Sequence, residues 1–235
     1  MQKRIELYDD KIGFVEYVDH MGSDLTVVNS ARVSFGKHKE QLDEKDKKLI
    51  SYLIKHKHTS TLEHCNVTFR FKVPLFVRSQ HHRHRTWSYN EISRRYTDFN
   101  IEFYEPEMFR TQHKSNRQAS NENDKNNPKV YSQEHQAGVS ADWLIKHHHK
   151  RALKIFDELL DAGVCREQAR GVLPQNMYTE YYGTVNLNNL LKFINLRIHK
   201  GAQWEIQKVA KACKEITSHL YPLTIMAYDK IRDEA

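Results

Sequence analysis

The stretch from Asn66 to Pro74 constrains this chain more than any other. Val67, Phe69, Phe71 and Val73 alternate with Asn66, Thr68, Arg70 and Lys72. A period of two belongs to a strand with one face buried and the other wet. Two phenylalanines on the buried face demand a covering layer of other structure. Pro74 has no N–H to continue a ladder, and it suits the first turn of a following helix, Leu75–Arg83. The fold must therefore be built around a half-buried strand that runs directly into a helix.

The rest of the chain supplies mixed elements. Ile5–Tyr8 and Phe14–Val18 read as short strands around an Asp9–Gly13 turn. Met21-Gly22-Ser23 turns the chain, and Ser23 suits the N-cap of a helix over Asp24–Arg32. Gly36–Glu40 is a loop. Leu42, Leu49, Ile50, Leu53 and Ile54 have helical spacing and place a helix over roughly 43–56. Further helices are expected at about 140–162, 187–198, 202–219 and 223–232, with Asn186 and Gly201 as punctuation. Residues 111–139 hold five Asn and no apolar periodicity, so they read as a long mobile loop inserted into one catalytic domain, 1–235. Strands and helices mix, then helices follow one another. That order is irregular for a doubly wound parallel sheet and gives the class α+β.

Composition narrows the function. The 235 residues carry 37 Lys+Arg against 30 Asp+Glu, a net charge of +7, and 39% are hydrophobic. No apolar run approaches the roughly 18 residues of a spanning helix, and the first residues lack the apolar stretch of a signal peptide. Cys65, Cys165 and Cys213 are odd in number and far apart, which excludes a disulfide framework. The expectation is a reduced protein of the cytoplasm, or of the host-cell cytoplasm if the source is viral, with no membrane partner.

Charge is unevenly placed. The window Arg78–Arg95 has five Arg and one Glu, with His81, His82 and His84 inside it. Lys146–Lys154 is as cationic, but it lies on an amphipathic helix and reads as a solvated face. Glycine-rich nucleotide cradles of the G-x-G-x-x-G and P-loop kinds are absent. Any phosphate must then be held by side chains, and Arg suits that work best. Arg83-His84-Arg85 are adjacent and repel one another unless an anion sits among them. If the chain around Ser93 is extended, Glu91, Ser93 and Arg95 point one way, about 7 Å apart. Such a row suits the polar edge of a ligand and its phosphate; a salt-bridged surface strand is the other reading. Arg197 shares a helix face with Leu190 and Ile194. A charge in register with an apolar stripe needs a buried partner or a ligand, or else it snorkels.

The run Arg83-His84-Arg85, seven residues, then Ser93 resembles the signature of flavin-dependent thymidylate synthases. The wider run Ser88–Tyr96 also resembles that family, as do Ala31–Phe35, the His58 to His64 segment, Phe76-Val77 with Gln80, Ala169–Pro174, Asn195–Arg197 and Ala202–Glu205. The 111–139 stretch looks foreign to it.

The resemblance implies a central, mainly antiparallel sheet flanked by helices, assembled as a homotetramer with sites between subunits. It implies methylation of dUMP to dTMP, with methylenetetrahydrofolate giving the carbon and FAD, reduced by NADPH, giving the hydride. Residue by residue, it implies Arg197 as catalytic and in contact with dUMP. Gln80, Arg83, Glu91, Ser93, Arg95 and Arg170 match dUMP-binding positions. His58, Ser60, Arg83, His84, Arg85, Glu91 and Asn186 match FAD-contacting positions. Two further flavin positions, which often carry Arg and Asn or His, hold Asn188 and Lys192 here. Lys192 can meet a phosphate as a point charge, whereas Asn188 cannot replace an Arg ion pair. Ser93 has no evident base in the sequence, so its hydroxyl is read as a dUMP holder and not as a nucleophile.

Two other readings compete. His56, His58, Glu63 and His64 are metal-ligand types in a short span, but H-E-x-x-H and cysteine pairs are absent, so no metal is assigned. The Arg/His window with 3 Trp, 12 Tyr and 10 Phe has nucleic-acid-binding ingredients. No known binding motif accompanies them, and Glu91 sits badly in a phosphate track, so no nucleic-acid partner is assigned. Trp87 and Tyr89 read as packing residues.

Overall fold

The computed structural model describes residues 3–234. The N-terminal reading falls partly on Met1 and Gln2, which lie outside the described residues. The chain begins with β1 (Arg4–Glu6) and β2 (Phe14–Met21), followed by α1 (Asp24–Arg32) and α2 (Glu44–Lys55). The alternating stretch is β3 (Asn66–Pro74), and it leads straight into α3 (Leu75–His81) and β4 (Ser88–Glu91). After the polar stretch come α4 (Ala141–Asp161), the short α5 (Arg166–Ala169) and a long strand at Tyr178–Asn186. Three helices close the chain: α6 (Leu187–Ile198), α7 (Trp204–Leu220) and α8 (Pro222–Asp233).

The strand Tyr178–Asn186 was not foreseen. Numbered in chain order it is β9, and it pairs antiparallel with β3 along its whole length, from Asn66↔Asn186 to Pro74↔Tyr178. The five-stranded sheet runs β1-β2-β3-β9-β4, with every pairing antiparallel. Val67, Phe69, Phe71 and Val73 are fully buried, as the alternation requires. They join Tyr181 and Val185 of β9, Leu190, Phe193 and Ile194 of α6, and Ile206, Val209 and Cys213 of α7 in one core. Each buried Phe contributes about 2 kcal/mol to that layer. Gly183 permits the close packing: a Cβ there would come within 2.9 Å of the Phe71 ring and 3.2 Å of Trp87. The opposite face is polar. Arg70 of β3 bonds Glu180 of β9 at 2.5 Å and Glu16 of β2 at 3.3 Å, and Thr68 meets Thr184 at 2.9 Å.

The polar stretch departs from expectation. In place of an unstructured loop it carries two small hairpins. One pairs β5 (Phe109–Gln112) with β6 (Ser120–Asn126), and the other pairs β7 (Lys129–Val130) with β8 (Val139–Ser140). Phe109, Val130 and Val139 are the apolar residues of their strands, too few for hydrophobic periodicity to reveal them. Bonds such as Thr111 Oγ1 to Asp124 Oδ2, 2.6 Å, support them instead. On α4 most of the cationic run is solvated, but His149 turns inward. Its ring stacks on Phe103 at 4.5 Å, and its Nδ1 lies 2.8 Å from Glu105.

The two ends of the chain are tied by one carboxylate. Asp24, buried at the start of α1, accepts from the N–H groups of Leu223 (2.9 Å) and Thr224 (3.0 Å) and from Thr224 Oγ1 (2.6 Å). It thereby caps the free donors of α8 and sits at the positive end of that helix. Asp24→Ala is expected to cost about 3 kcal/mol, since bonds to a charged group are the strong ones. Thermal melting should show this as a fall of about 9 °C; an unchanged melting temperature would remove Asp24 from this role.

Candidate active site

The Arg-His-Arg segment forms a tight loop where α3 ends. His84 N–H donates to the His81 carbonyl at 2.9 Å, and the Tyr89 hydroxyl donates to the carbonyls of His81 (3.0 Å) and His84 (3.2 Å). Trp87, buried, packs on Phe71 and Phe193 beneath the loop. Trp87 and Tyr89 are thus packing residues. With the loop so fixed, Arg83 and Arg85 face outward while His84 turns inward onto the Phe193 ring, 4.9 Å away.

Arg197, in the last turn of α6, closes this cluster. Its Nε donates to His84 Nε2 at 3.0 Å, and an Nη donates to the Gln80 carbonyl at 3.1 Å. Burial, with the Arg197 charge next, pulls His84 down to about 4. The imidazole is therefore neutral near pH 7, and accepting at Nε2 puts its proton on Nδ1. Burial also lowers the Arg197 pKa, but a guanidinium stays charged. The stripe of Leu190 and Ile194 beside it is fully buried. Arg197 is thus partnered by a carbonyl and a neutral ring, with no carboxylate among the described residues, and keeps its charge available.

A second group lines a cavity of about 690 Å³ at the far end of β9, walled by Arg78, Glu91, Ser93, Arg170, Gln175 and Thr179, among others. Glu91 Oε1 accepts from Thr179 Oγ1 at 2.6 Å and lies 3.2 Å from Arg78 Nε. Arg78 was not among the residues picked out from sequence. It lies one helical turn before His82 in the cationic window, and that position on α3 was the available signal. The extended row Glu91-Ser93-Arg95 is corrected. β4 ends at Glu91, and the chain turns at Ser93, whose carbonyl accepts from Tyr96 N–H (3.0 Å) and Thr97 N–H (3.1 Å). Ser93 Oγ accepts from Arg95 N–H at 3.2 Å. Arg94 is the buried member of its pair and holds the carbonyls of Phe99 and Asn100. Arg95 points out and meets Glu167 at 3.1 Å.

The third group lies at the other end of the sheet. His58, exposed, stacks on Tyr52 at 5.8 Å, and Ser60 is exposed on the following 3-10 turn. Asn186 caps α6, its side chain accepting from Asn189 N–H at 2.9 Å. Asn188 is buried, and its amide donates to Glu63 at 3.0 Å, while Lys192 is exposed. One chain does not bring this group to the cavity. Asn186 lies five strand residues from Tyr181, the register partner of Glu91, or about 17 Å along β9. Among the described residues, Arg83, Arg85, Arg170 and Lys192 have no carboxylate partner, which fits sites for phosphate groups such as the diphosphate of a dinucleotide. Also among the described residues, no group of three His, Cys, Asp or Glu side chains is disposed to hold a metal ion, and no helix is long and apolar enough to cross a membrane.

The chain is similar to known proteins over most of its length. The family model described as thymidylate synthase complementing protein matches residues 16–223. The chain is 43% identical over 218 residues to a flavin-dependent thymidylate synthase of Thermus thermophilus, covering 93% of this chain and 76% of the relative. It is 41% identical over 218 residues to one of Thermotoga neapolitana, covering 93% and 91%. Among solved structures it resembles a UMP/dUMP methylase, PolB, from Streptomyces cacaoi bound with 5-Br dUMP. The TM-score is 0.79 at 33% identity, over 96% of this chain and 97% of that one. The sheet order, the signature loop and these relatives lead to one conclusion: the chain belongs to the flavin-dependent thymidylate synthase family.

Proposed function

We propose that this protein methylates dUMP to dTMP, with methylenetetrahydrofolate as carbon donor and FAD, reduced by NADPH, as hydride source. The observation that carries the reading is the cavity in which an acceptor (Glu91), a hydroxyl (Ser93) and two guanidinium groups (Arg78, Arg170) face one space. Those are the groups a nucleotide monophosphate requires: forks for the phosphate and neutral or acidic partners for the sugar and base. Gln80, Arg83 and Arg197 do not line that cavity, and His58, Ser60, Asn186 and Lys192 lie at the other end of the sheet. A homotetramer that sets one copy's patches against another's cavity unites them, which accounts for their separation on one chain.

In this scheme Arg170 holds the phosphate, Arg95 joins it on exchanging Glu167 for the ligand, and Arg83, Arg85 and Lys192 would hold the flavin's diphosphate. Bound FAD supplies the hydride. Glu91, fixed by Thr179 and Arg78, orients the nucleotide beside the flavin. The Arg197 guanidinium, locked by His84 and the Gln80 carbonyl, faces the uracil edge and stabilises negative charge developing on the ring. Ser93 holds dUMP. Its hydroxyl touches the Arg95 N–H and no imidazole or carboxylate among the described residues, so nothing there would activate it as a nucleophile.

The test is dTMP formation from dUMP, methylenetetrahydrofolate, NADPH and FAD, with each omitted in turn. Arg197→Ala is expected to abolish turnover with folding intact, and Ser93→Ala to weaken activity while leaving some. A Ser93→Ala protein that binds dUMP and FAD normally yet never turns over would contradict the holding role, as near-normal turnover of Arg197→Ala would contradict its own. The pH profile gives a further check. With His84 near 4, the ring stays neutral from pH 5.5 to 8 and contributes no step there. Stability linked to it is lost only as pH falls from the ordinary histidine value toward 4, because the unfolded chain takes up the proton first. An acid limb near 6.5 that vanishes in His84→Gln would refute the neutral ring.

A further inference from the structure

Glu205, in the first turn of α7, is buried, yet it belongs to none of the three groups above. Three donors converge on its carboxylate. Arg110 Nη2 lies 2.7 Å and the Tyr104 hydroxyl 3.3 Å from Oε1, and Gln203 Nε2 lies 2.9 Å from Oε2. Gln203 in turn accepts at Oε1 from Gln80 Nε2. The far end of the chain of bonds is thus Gln80, whose backbone carbonyl also holds Arg197 at 3.1 Å.

A carboxylate only accepts, whereas a side-chain amide has one donating and one accepting end. Glu205 therefore forces Gln203 to present its NH₂ group, which turns the Gln203 oxygen toward Gln80. Gln80 must then present its own NH₂ group, and its oxygen is left facing away. That oxygen has no protein partner among the described residues, on a side chain that is only half-buried. We infer that Glu205, acting through Gln203, fixes the Gln80 amide with its oxygen toward the nucleotide, and that Arg110 of the β5–β6 hairpin holds Glu205 in place.

Arg110 is itself built in. Its Nε donates to Ser120 Oγ across the hairpin at 2.9 Å, and its guanidinium lies 4.8 Å from the centre of the Trp204 ring. The polar stretch thereby anchors the substrate patch through a directed row of hydrogen bonds. Glu205, Gln203 and Arg110 are positioning residues. A fixed acceptor selects a donor on the ligand, such as a nucleotide hydroxyl or imide N–H, and rejects an acceptor at the same place. The inference rests on the proposed contact of Gln80 with dUMP.

The experiment is a double-mutant cycle on the full chain loaded with FAD. The KM values for dUMP and methylenetetrahydrofolate, kcat and thermal melting are compared for Gln80→Ala, Glu205→Gln and the pair. In Glu205→Gln the new amide offers both a donor and an acceptor, so the row loses its direction. Expected are a rise of about fivefold in the dUMP KM, the loss of roughly one neutral hydrogen bond, with folate KM and kcat nearly unchanged, and no added effect in the Gln80→Ala background. Arg110→Ala should raise the dUMP KM in the same way. Should Glu205→Gln not fold, Gln203→Met makes the same comparison, since it breaks the row while the Gln203 side chain makes no capping bond to the α7 backbone that the change would cost. A merely structural role would lower the melting temperature, move both KM values and add to Gln80→Ala, and that pattern would overturn the inference. If the wild type binds dUMP but the two sites act independently, the inference alone fails; if the wild type binds no dUMP, the proposed function fails and takes the inference with it.

Discussion

The pairing of β3 with β9 carries the rest of the molecule. Its register, Asn66↔Asn186 through Pro74↔Tyr178, fixes where both strands leave the sheet. At one end β9 runs without a linker into α6, which brings Asn186, Asn188 and Lys192 beside the turn that carries His58 and Ser60. At the other end β3 runs into α3, and β4 pairs back onto β9, which delivers Arg78, Glu91 and Ser93 to one cavity. The buried face, centred on Phe69, Phe71 and Tyr181, makes this register costly to change. A shift by one residue would send the phenylalanines to the polar face.

Within that frame Arg197 is the clamp. It joins the end of α6 to the end of α3 and to the signature loop, and its partners are a carbonyl and a neutral imidazole. Neither partner neutralises it. A carboxylate there would have made a stable pair and spent the charge inside the protein; the observed partners orient the guanidinium and leave its field available to a ligand. Glu91 shows the converse design. It is held by Thr179 and Arg78, so its geometry is set before any ligand arrives.

Much of this was legible in the residues, and the exceptions have physical causes. The spans of α1 and α6 were readable to the residue, because Ser23 and Asn186 mark their starts and the apolar spacing is clear. β9 was missed because its pattern is mixed: Thr179 is buried, Gly183 leaves a gap in the apolar face, and Tyr182 is exposed between them. Its β-branched and aromatic residues were the available signal. The two hairpins at 109–140 carry Phe109 and the Val130–Val139 pair but no apolar period to read. Whether the chain is extended or turns at Ser93 is open in the sequence, because motif spacing carries no information on backbone direction. Arg197 could be singled out from its stripe; Arg78 had only its place in the cationic window, since nothing in the sequence pairs it with Glu91. The separation of the site residues into three groups was invisible at the level of sequence.

The proposed function requires that dUMP and a flavin share one site on this protein. The most direct measurement is the visible absorption spectrum of the purified chain with FAD added, followed by titration with dUMP. The expected result is bound flavin whose absorption band shifts saturably as dUMP is added. A protein that retains no flavin with FAD in excess, or a flavin spectrum indifferent to dUMP at saturation, would contradict it.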